Sequence, residues 1–289
     1  MSRRPVAGLC LALAVVAAAA VAPANAQTPE AAFVTIEPVI TSSREMLFGV
    51  AFTDASHGYA VGAYGRMLVT TDGGATWREQ PSGVDARVPG SESGGQACLA
   101  PDGLPCTNVI FDVTFADPQH GWMVTESSVR ATSDGGATWA EQRVPSVDSI
   151  PGAGPGPVGT SERPSSWSFR AVGFSDRQNG TVVGLGGTIL STTDGGATWQ
   201  WQGDRSYGHL RSVSLPDRQH GQAVSPGGQA QQPYVTLATD NAGASWQMVR
   251  ADLGPNVQTD EFAAVAFTDA QHGFVGGNGG RIFATSDGG

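Results

Sequence analysis

Histidine and aspartate, residues that bind metals or move protons, recur at fixed spacing along this 289-residue chain. Four of the five histidines, His57, His120, His220 and His272, sit in the turns DASHG, DPQHG, DRQHG and DAQHG. The stretch TTDGGATW at Thr70 returns as TSDGGATW at Thr132 and TTDGGATW at Thr192, more loosely as TDNAGASW at Thr239, and again as TSDGG at the last residues. Gathered histidines would make a metal or acid–base centre, and aspartates offer oxygens to calcium. Repetition argues against both. Each repeat carries one copy of each motif, so the histidines are spread out, and a single carboxylate per DGG turn falls well short of a calcium shell. Asn179 replaces the histidine in DRQNG. Asparagine and histidine share a tolerance for left-handed backbone before glycine, so turn geometry is the expected role, with no metal and no cofactor.

Two other carboxylates could serve hydrolysis, which needs a facing pair or a Tyr/Glu nucleophile beside an arginine cluster. Asp112 in FDVTF occupies a position filled elsewhere by Gly49, Ala171, Ser212 and Ala264; Glu261 lies in DEFAAV. Neither has a motif around it, and Tyr59, Tyr64, Tyr207 and Tyr234 have no nucleophile context. A hydrogen bond or ion pair accounts for Asp112 as well as catalysis does. Lysine is absent, which removes Schiff-base chemistry and Walker-type phosphate loops. An enzyme is not the expected reading, though a glycoside hydrolase stays open as the alternative.

The elements that carry these residues are repeats of one unit. Units begin near Leu47, Ile110, Phe169, Leu210 and Phe262, and their box aspartates are Asp72, Asp134, Asp194, Asp240 and Asp287. Each unit reads as four short strands between Gly- and Asp-rich turns; in the first these are LFGVAF, GYAVG, RMLVTT and ATWREQ. The first strand alternates large with small, Phe48, Val50 and Phe52 against Gly49 and Ala51. A sheet with one wet face would alternate apolar with polar; small apolar residues on the second face imply that both faces are covered. Four-stranded antiparallel units packed face to face around an axis make an all-β propeller. In the DGG turn the aspartate is expected to accept backbone N–H bonds while the glycines supply positive φ. Trp77, Trp139, Trp199 and Trp246 then start the outer strands as wedges between blades.

These units resemble BNR or Asp-box repeats, S/T-x-D-x-G-x-x-W, and the fuller pattern VxFxDxxHGxxVGxxGxxLxTxDGGxTW resembles the photosystem II assembly/stability factor family over residues 47–289. The pattern departs in the second unit, where TESSVR lacks the glycines, and in the fourth, interrupted by SPGGQAQQPY. The resemblance implies a usually seven-bladed, non-enzymatic propeller, periplasmic, lumenal or extracellular, that helps to assemble a membrane protein complex. Relatives of this kind also occur in bacteria without a photosystem. A secreted or cell-surface adhesion module is a further alternative.

The long segments, 81–108, 143–168 and 225–233, all emerge on one side of such a ring, leaving the other side standardised. Elaborated loops on a rigid scaffold are where binding resides. The inner strands begin on that same side, so Glu45, Arg170, His209, Arg211 and Glu261 are expected near the mouth of the central channel. Arg170 and Arg211 are candidate anchors for a carboxylate-bearing partner segment, with a solvated rim or blade-to-blade ion pairs as the alternative, and Trp167 is a candidate aromatic contact, with loop packing as its alternative. Residues 1–26 read as an export signal, with Arg3 and Arg4, an apolar run and ANA before Gln27. Removing it leaves 14 basic side chains against 26 acidic ones, no electrostatic case for nucleic acid, and no span for membrane insertion. In the exported chain Cys98 and Cys106 are expected to pair as a loop-stapling disulfide. Residues 27–46 hold AAFVTIEPVI, a strand for closing a blade: the last blade of a longer, seven-bladed chain, which the break inside TSDGG favours, or a five-bladed ring. A monomer with a protein partner is expected.

Overall fold

The computed structural model describes residues 46–84, 108–150, 167–204, 207–225, 235–249, 262–277 and 280–289. Glu45, Glu261, Cys98, Cys106, Tyr234, the export signal and the strand AAFVTIEPVI lie outside the described residues.

Five antiparallel sheets follow one another, each meandering outward from an inner strand. Blade 1 comprises β1 (Leu47–Phe52), β2 (Gly58–Gly62), β3 (Met67–Thr70) and β4 (Arg78–Glu79). Blade 2 comprises β5 (Ile110–Phe115), β6 (Gly121–Thr125), β7 (Val129–Thr132) and β8 (Ala140–Gln142). Blade 3 comprises β9 (Phe169–Phe174), β10 (Gly180–Gly184), β11 (Thr188–Thr192) and β12 (Gln200–Trp201). Blade 4 comprises β13 (Ser212–Ser214), β14 (Gly221–Ser225), β15 (Val235–Thr239) and β16 (Gln247–Val249). Blade 5 shows three strands, β17 (Phe262–Phe267), β18 (Gly273–Gly277) and β19 (Ile282–Thr285). Together they form a β-propeller.

The repeated turns lock as hydrogen-bonded units. Asp72 accepts from the Thr76 backbone N–H (2.8 Å) and hydroxyl (2.6 Å) and from Thr70 Oγ1 (2.8 Å), which itself takes the Gly74 N–H (2.9 Å). Gly73 and Gly74 sit at φ of 71° and 92°, where a side chain would be strained. Asp134 and Asp194 repeat this pattern. In blade 4 the box residue is Asn241, not Asp240: Asn241 Oδ1 accepts from the Ser245 N–H (3.0 Å) and Thr239 Oγ1 (3.0 Å). The TDNAGASW copy aligns one residue later than its aspartate suggests, with Ala242 taking the first positive-φ position at 63°.

The histidine turns hold for a different reason than left-handed backbone. No histidine is among the described non-glycine residues at positive φ, and Asn179 is not either. Instead Asp54 accepts from the Ser56 and His57 N–H groups (2.7 and 2.9 Å), and His57 Nδ1 adds a third contact (2.8 Å). Asp117, Asp217 and Asp269 hold their histidines the same way, and Asp176 receives Asn179 Nδ2 at 3.0 Å. What histidine and asparagine share is a side-chain N–H within reach of the aspartate three residues back.

Blades join through aromatic stacks and through side chains that reach the next box. Tyr59 stacks on Phe115 (4.3 Å) and Trp122 on Phe174 (3.5 Å). Tyr59 Oη donates to the Gly135 carbonyl (2.6 Å), Trp122 Nε1 to Gly195 (3.1 Å), Ser191 Oγ to Gly243 (3.0 Å) and Gln222 Nε2 to Gly288 (2.6 Å). The wedges Trp139, Trp199 and Trp246 are buried, whereas Trp77, in the first described blade, is half-buried. Blade 5 shows the converse. Phe274 and Ile282 occupy the register of Tyr59 and Met67, which are 6% and 0% exposed in blade 1, yet are themselves 43% and 65% exposed.

Candidate functional site

The inner strands do not keep the simple alternation of their residues. In β1, β5, β9 and β17 the ladder skips one residue near the start, leaving Phe48, Phe111, Arg170 and Ala263 unpaired opposite β2, β6, β10 and β18. Such β-bulges re-aim a side chain and cluster at functional sites. Arg211 stands at the same position of blade 4, just before Ser212, and its N–H donates to the Val224 carbonyl (3.0 Å). Phe48, Phe111, Arg170, Arg211 and Ala263 thus form one collar where the inner strands begin, aromatic on one side and cationic on the next.

Contacts along the collar are direct. The Phe48 and Phe111 rings lie 5.8 Å apart, and the Arg170 guanidinium stacks 4.2 Å above Phe111, in cation–π range. Arg170 Nη1 donates to the carbonyl of its neighbour Phe169 (2.7 Å), and Nη2 stands 3.9 Å from Glu126. Desolvation lowers the Arg170 pKa, Glu126 opposes this, and the nearby charge of Arg211 adds to it. Arg211 is exposed and makes no ion pair among the described residues. His209 completes the group: its Nδ1 accepts the Gly186 N–H (3.1 Å), which places the proton of the neutral ring on Nε2. Desolvation, then the charges of Arg211 and Arg170, push its pKa below the usual value, so the ring is a neutral donor. Arg170 and Arg211 are therefore close enough for their charges to act on each other and on the His209 ring.

Asp112 lies between inner strands of adjacent blades. Its Oδ1 accepts the Val113 N–H (2.9 Å) and its Oδ2 the Val172 N–H of blade 3 (3.0 Å). Burial pushes its pKa up to about 7 against these two donors. Trp167 is buried, stacked on Phe169 and Trp201, and donates from Nε1 to the Pro145 carbonyl (2.9 Å). It anchors the segment after β8 to blade 3. No group of three or more His, Cys, Asp or Glu among the described residues could hold a metal ion.

Sequence reasoning placed Arg170, Arg211 and His209 together but missed Phe48 and Phe111. Strict alternation puts Phe48 on one face with Val50 and Phe52; the bulge takes it off that face. The available signal was positional, since the second residue of each unit is Phe, Phe, Arg, Arg and Ala across five otherwise similar repeats.

Residues 29–89 and 100–151 match the family model described as photosynthesis system II assembly factor YCF48. A 90-residue segment is 30% identical to photosystem II assembly lipoprotein Ycf48 of Synechococcus sp. (strain CC9902), covering 30% of this chain and 22% of that protein. A 95-residue segment is 26% identical to photosystem II stability/assembly factor HCF136, chloroplastic, of Oryza sativa subsp. japonica, covering 32% and 20%. The chain thus matches about a fifth of the length of these two relatives. The solved structure of YCF48 bound to D1 peptide superposes with a TM-score of 0.51 at 21% identity, over 83% of this chain and 65% of that one, a likeness of fold. With its repeated units, its blade geometry and these matches, the chain is a β-propeller similar to the photosystem II assembly factor-like family.

Proposed function

We propose that this chain is an exported, non-enzymatic scaffold that holds an extended, carboxylate-bearing segment of a protein partner at the collar, the partner being a subunit of a membrane complex under assembly. The observation that carries this reading is the juxtaposition of Arg170, Arg211 and His209 beside the Phe48–Phe111 pair. Guanidinium groups bind carboxylates through paired hydrogen bonds, His209 Nε2 adds a neutral donor, and the aromatic side suits an apolar side chain next to the acid. A cationic site in a chain of net charge −10 also concentrates acidic ligands locally. The family resemblance and the D1 peptide held by YCF48 support a peptide-binding role. So does Asp112, whose two oxygens are both engaged by backbone N–H groups.

The test is fluorescence anisotropy with a fluorescein-labelled acidic decapeptide ending in a free carboxylate. Arg170→Ala and Arg211→Ala are each expected to weaken binding by about tenfold or more, the size of a charge-assisted hydrogen bond. Wild-type binding should also weaken as salt rises. Binding that is unchanged in both variants would sink the reading.

A further inference from the structure

We propose that Asp112 is a positioning residue for the collar: by clasping the Val172 N–H of the next blade, it holds β5 and β9 at the spacing that seats the Arg170 guanidinium over Phe111. This rests on the collar being the binding site. Phe111 and Asp112 are consecutive on β5, and Arg170 and Val172 are two apart on β9, so stack and clasp are neighbouring rungs of one inter-blade contact. The neighbouring Phe169 N–H also ties blade 3 to blade 2 through the Glu126 carbonyl (2.8 Å), but beyond the end of β6, and among the described residues Arg170 has no closer tie to β5 than the stack. Its bond to the Phe169 carbonyl stays within β9, and Glu126 stands 3.9 Å away.

The clasp is a device the molecule uses again. At the same position of blade 4, Ser212 Oγ accepts the Val265 N–H of blade 5 (3.1 Å), and Ser214 Oγ accepts the Phe267 N–H (3.0 Å). A hydroxyl is therefore enough to satisfy a neighbouring inner-strand edge. Asp112 does more, since its second oxygen also ties down Val113 of its own strand. Blade 1 makes room for it: a Cβ on Gly49 would come within 2.9 Å of the Asp112 Cα and 3.1 Å of Oδ1. Any larger residue at position 49 would press Asp112 out of place.

The experiment follows the Arg170 Nε–H resonance by NMR, assigned by its loss in Arg170→Ala, alongside affinity for the same labelled decapeptide. In Asp112→Ala the resonance is expected to move towards the position of a free arginine, and affinity to drop about fivefold, as for one lost hydrogen bond. Asp112→Ser restores an acceptor like that of Ser212 and should keep the resonance shifted and the affinity within about twofold of wild type. Gly49→Ala leaves the carboxylate in the chain but crowds it, and should behave as the alanine variant does; it serves if Asp112→Ala fails to fold. An Arg170 resonance unmoved in Asp112→Ala, or in Gly49→Ala where that must stand in, overturns the proposal. If instead Arg170→Ala binds peptide as wild type does, the collar reading fails, while the resonance still reports on the clasp.

Discussion

Asp112 keeps its proton up to about pH 7 because burial outweighs its two backbone donors, whereas Asp72 and Asp134, bonded mainly to Thr76 and Thr138, are held down at about 2. The two shifts act on stability in opposite senses. An unfolded aspartate ionises near 3.8, so between about pH 4 and 7 the unfolded chain releases a proton that folded Asp112 retains, and stability falls as pH rises. The box aspartates stabilise above pH 4 and lose that contribution as pH falls towards 2. Thermal unfolding of Asp112→Ser should therefore show a flatter dependence than wild type between pH 4 and 7 and the same loss below pH 4; parallel curves from 4 to 7 would contradict the assignment. Much at this scale was legible. The aspartate turn lock followed from residue type, and the unusual side chain at position 112 was visible against Gly, Ala and Ser. Asn241 was not, because an adjacent aspartate offered the more familiar alignment. Nor could sequence assign the His209 proton, which depends on a backbone N–H from Gly186 in another turn.

Strand and turn boundaries were read from hydrophobic alternation, and β1, β5, β9 and β17 fall where that pattern placed them. A bulge breaks the inference at one residue. Alternation reports which face a residue occupies only while pairing stays in step, so Phe48 and Phe111 look like core positions until the skipped rung is seen. The outer strands are shorter than read, two residues in β4 and β12, and the tryptophan before β12 packs between blades, its Nε1 donating to Gln142 of blade 2 (3.2 Å). That packing gives unequal costs at equivalent positions. Trp199 is buried beside Phe174, so Trp199→Ala should cost about 3–5 kcal/mol. Trp77 meets Phe52 of its own blade and no preceding blade among the described residues, so Trp77→Ala should cost clearly less in chemical denaturation. Equal costs would mean that the tryptophan works within its blade rather than between blades.

At the scale of the whole molecule the described blades follow one another as a row in which neighbours seal each other, so protection should fall towards faces left open among the described residues. Amide exchange is expected to be slowest in β6 and β10 and fastest in β18 and β19, where Phe274 and Ile282 lie open; uniform protection would show that the row unfolds as one unit. Across the junctions, the bonds from side chains to box and inner-strand backbone have a direction. At every one, side chains of the earlier blade address backbone of the later: Tyr59, Trp122, Ser191 and Gln222 donate to box carbonyls, and Asp112, Ser212 and Ser214 take inner-strand N–H groups. An inner-strand N–H is the same whatever side chain its residue carries, so Val172, Val265 and Phe267 need only present backbone, while Asp112, Ser212 and Ser214 must carry the matching group. Evolution can therefore recolour each unit's incoming side at little cost to assembly, and a collar that needs Phe, Arg and Ala at one repeated position has somewhere to draw its variety from.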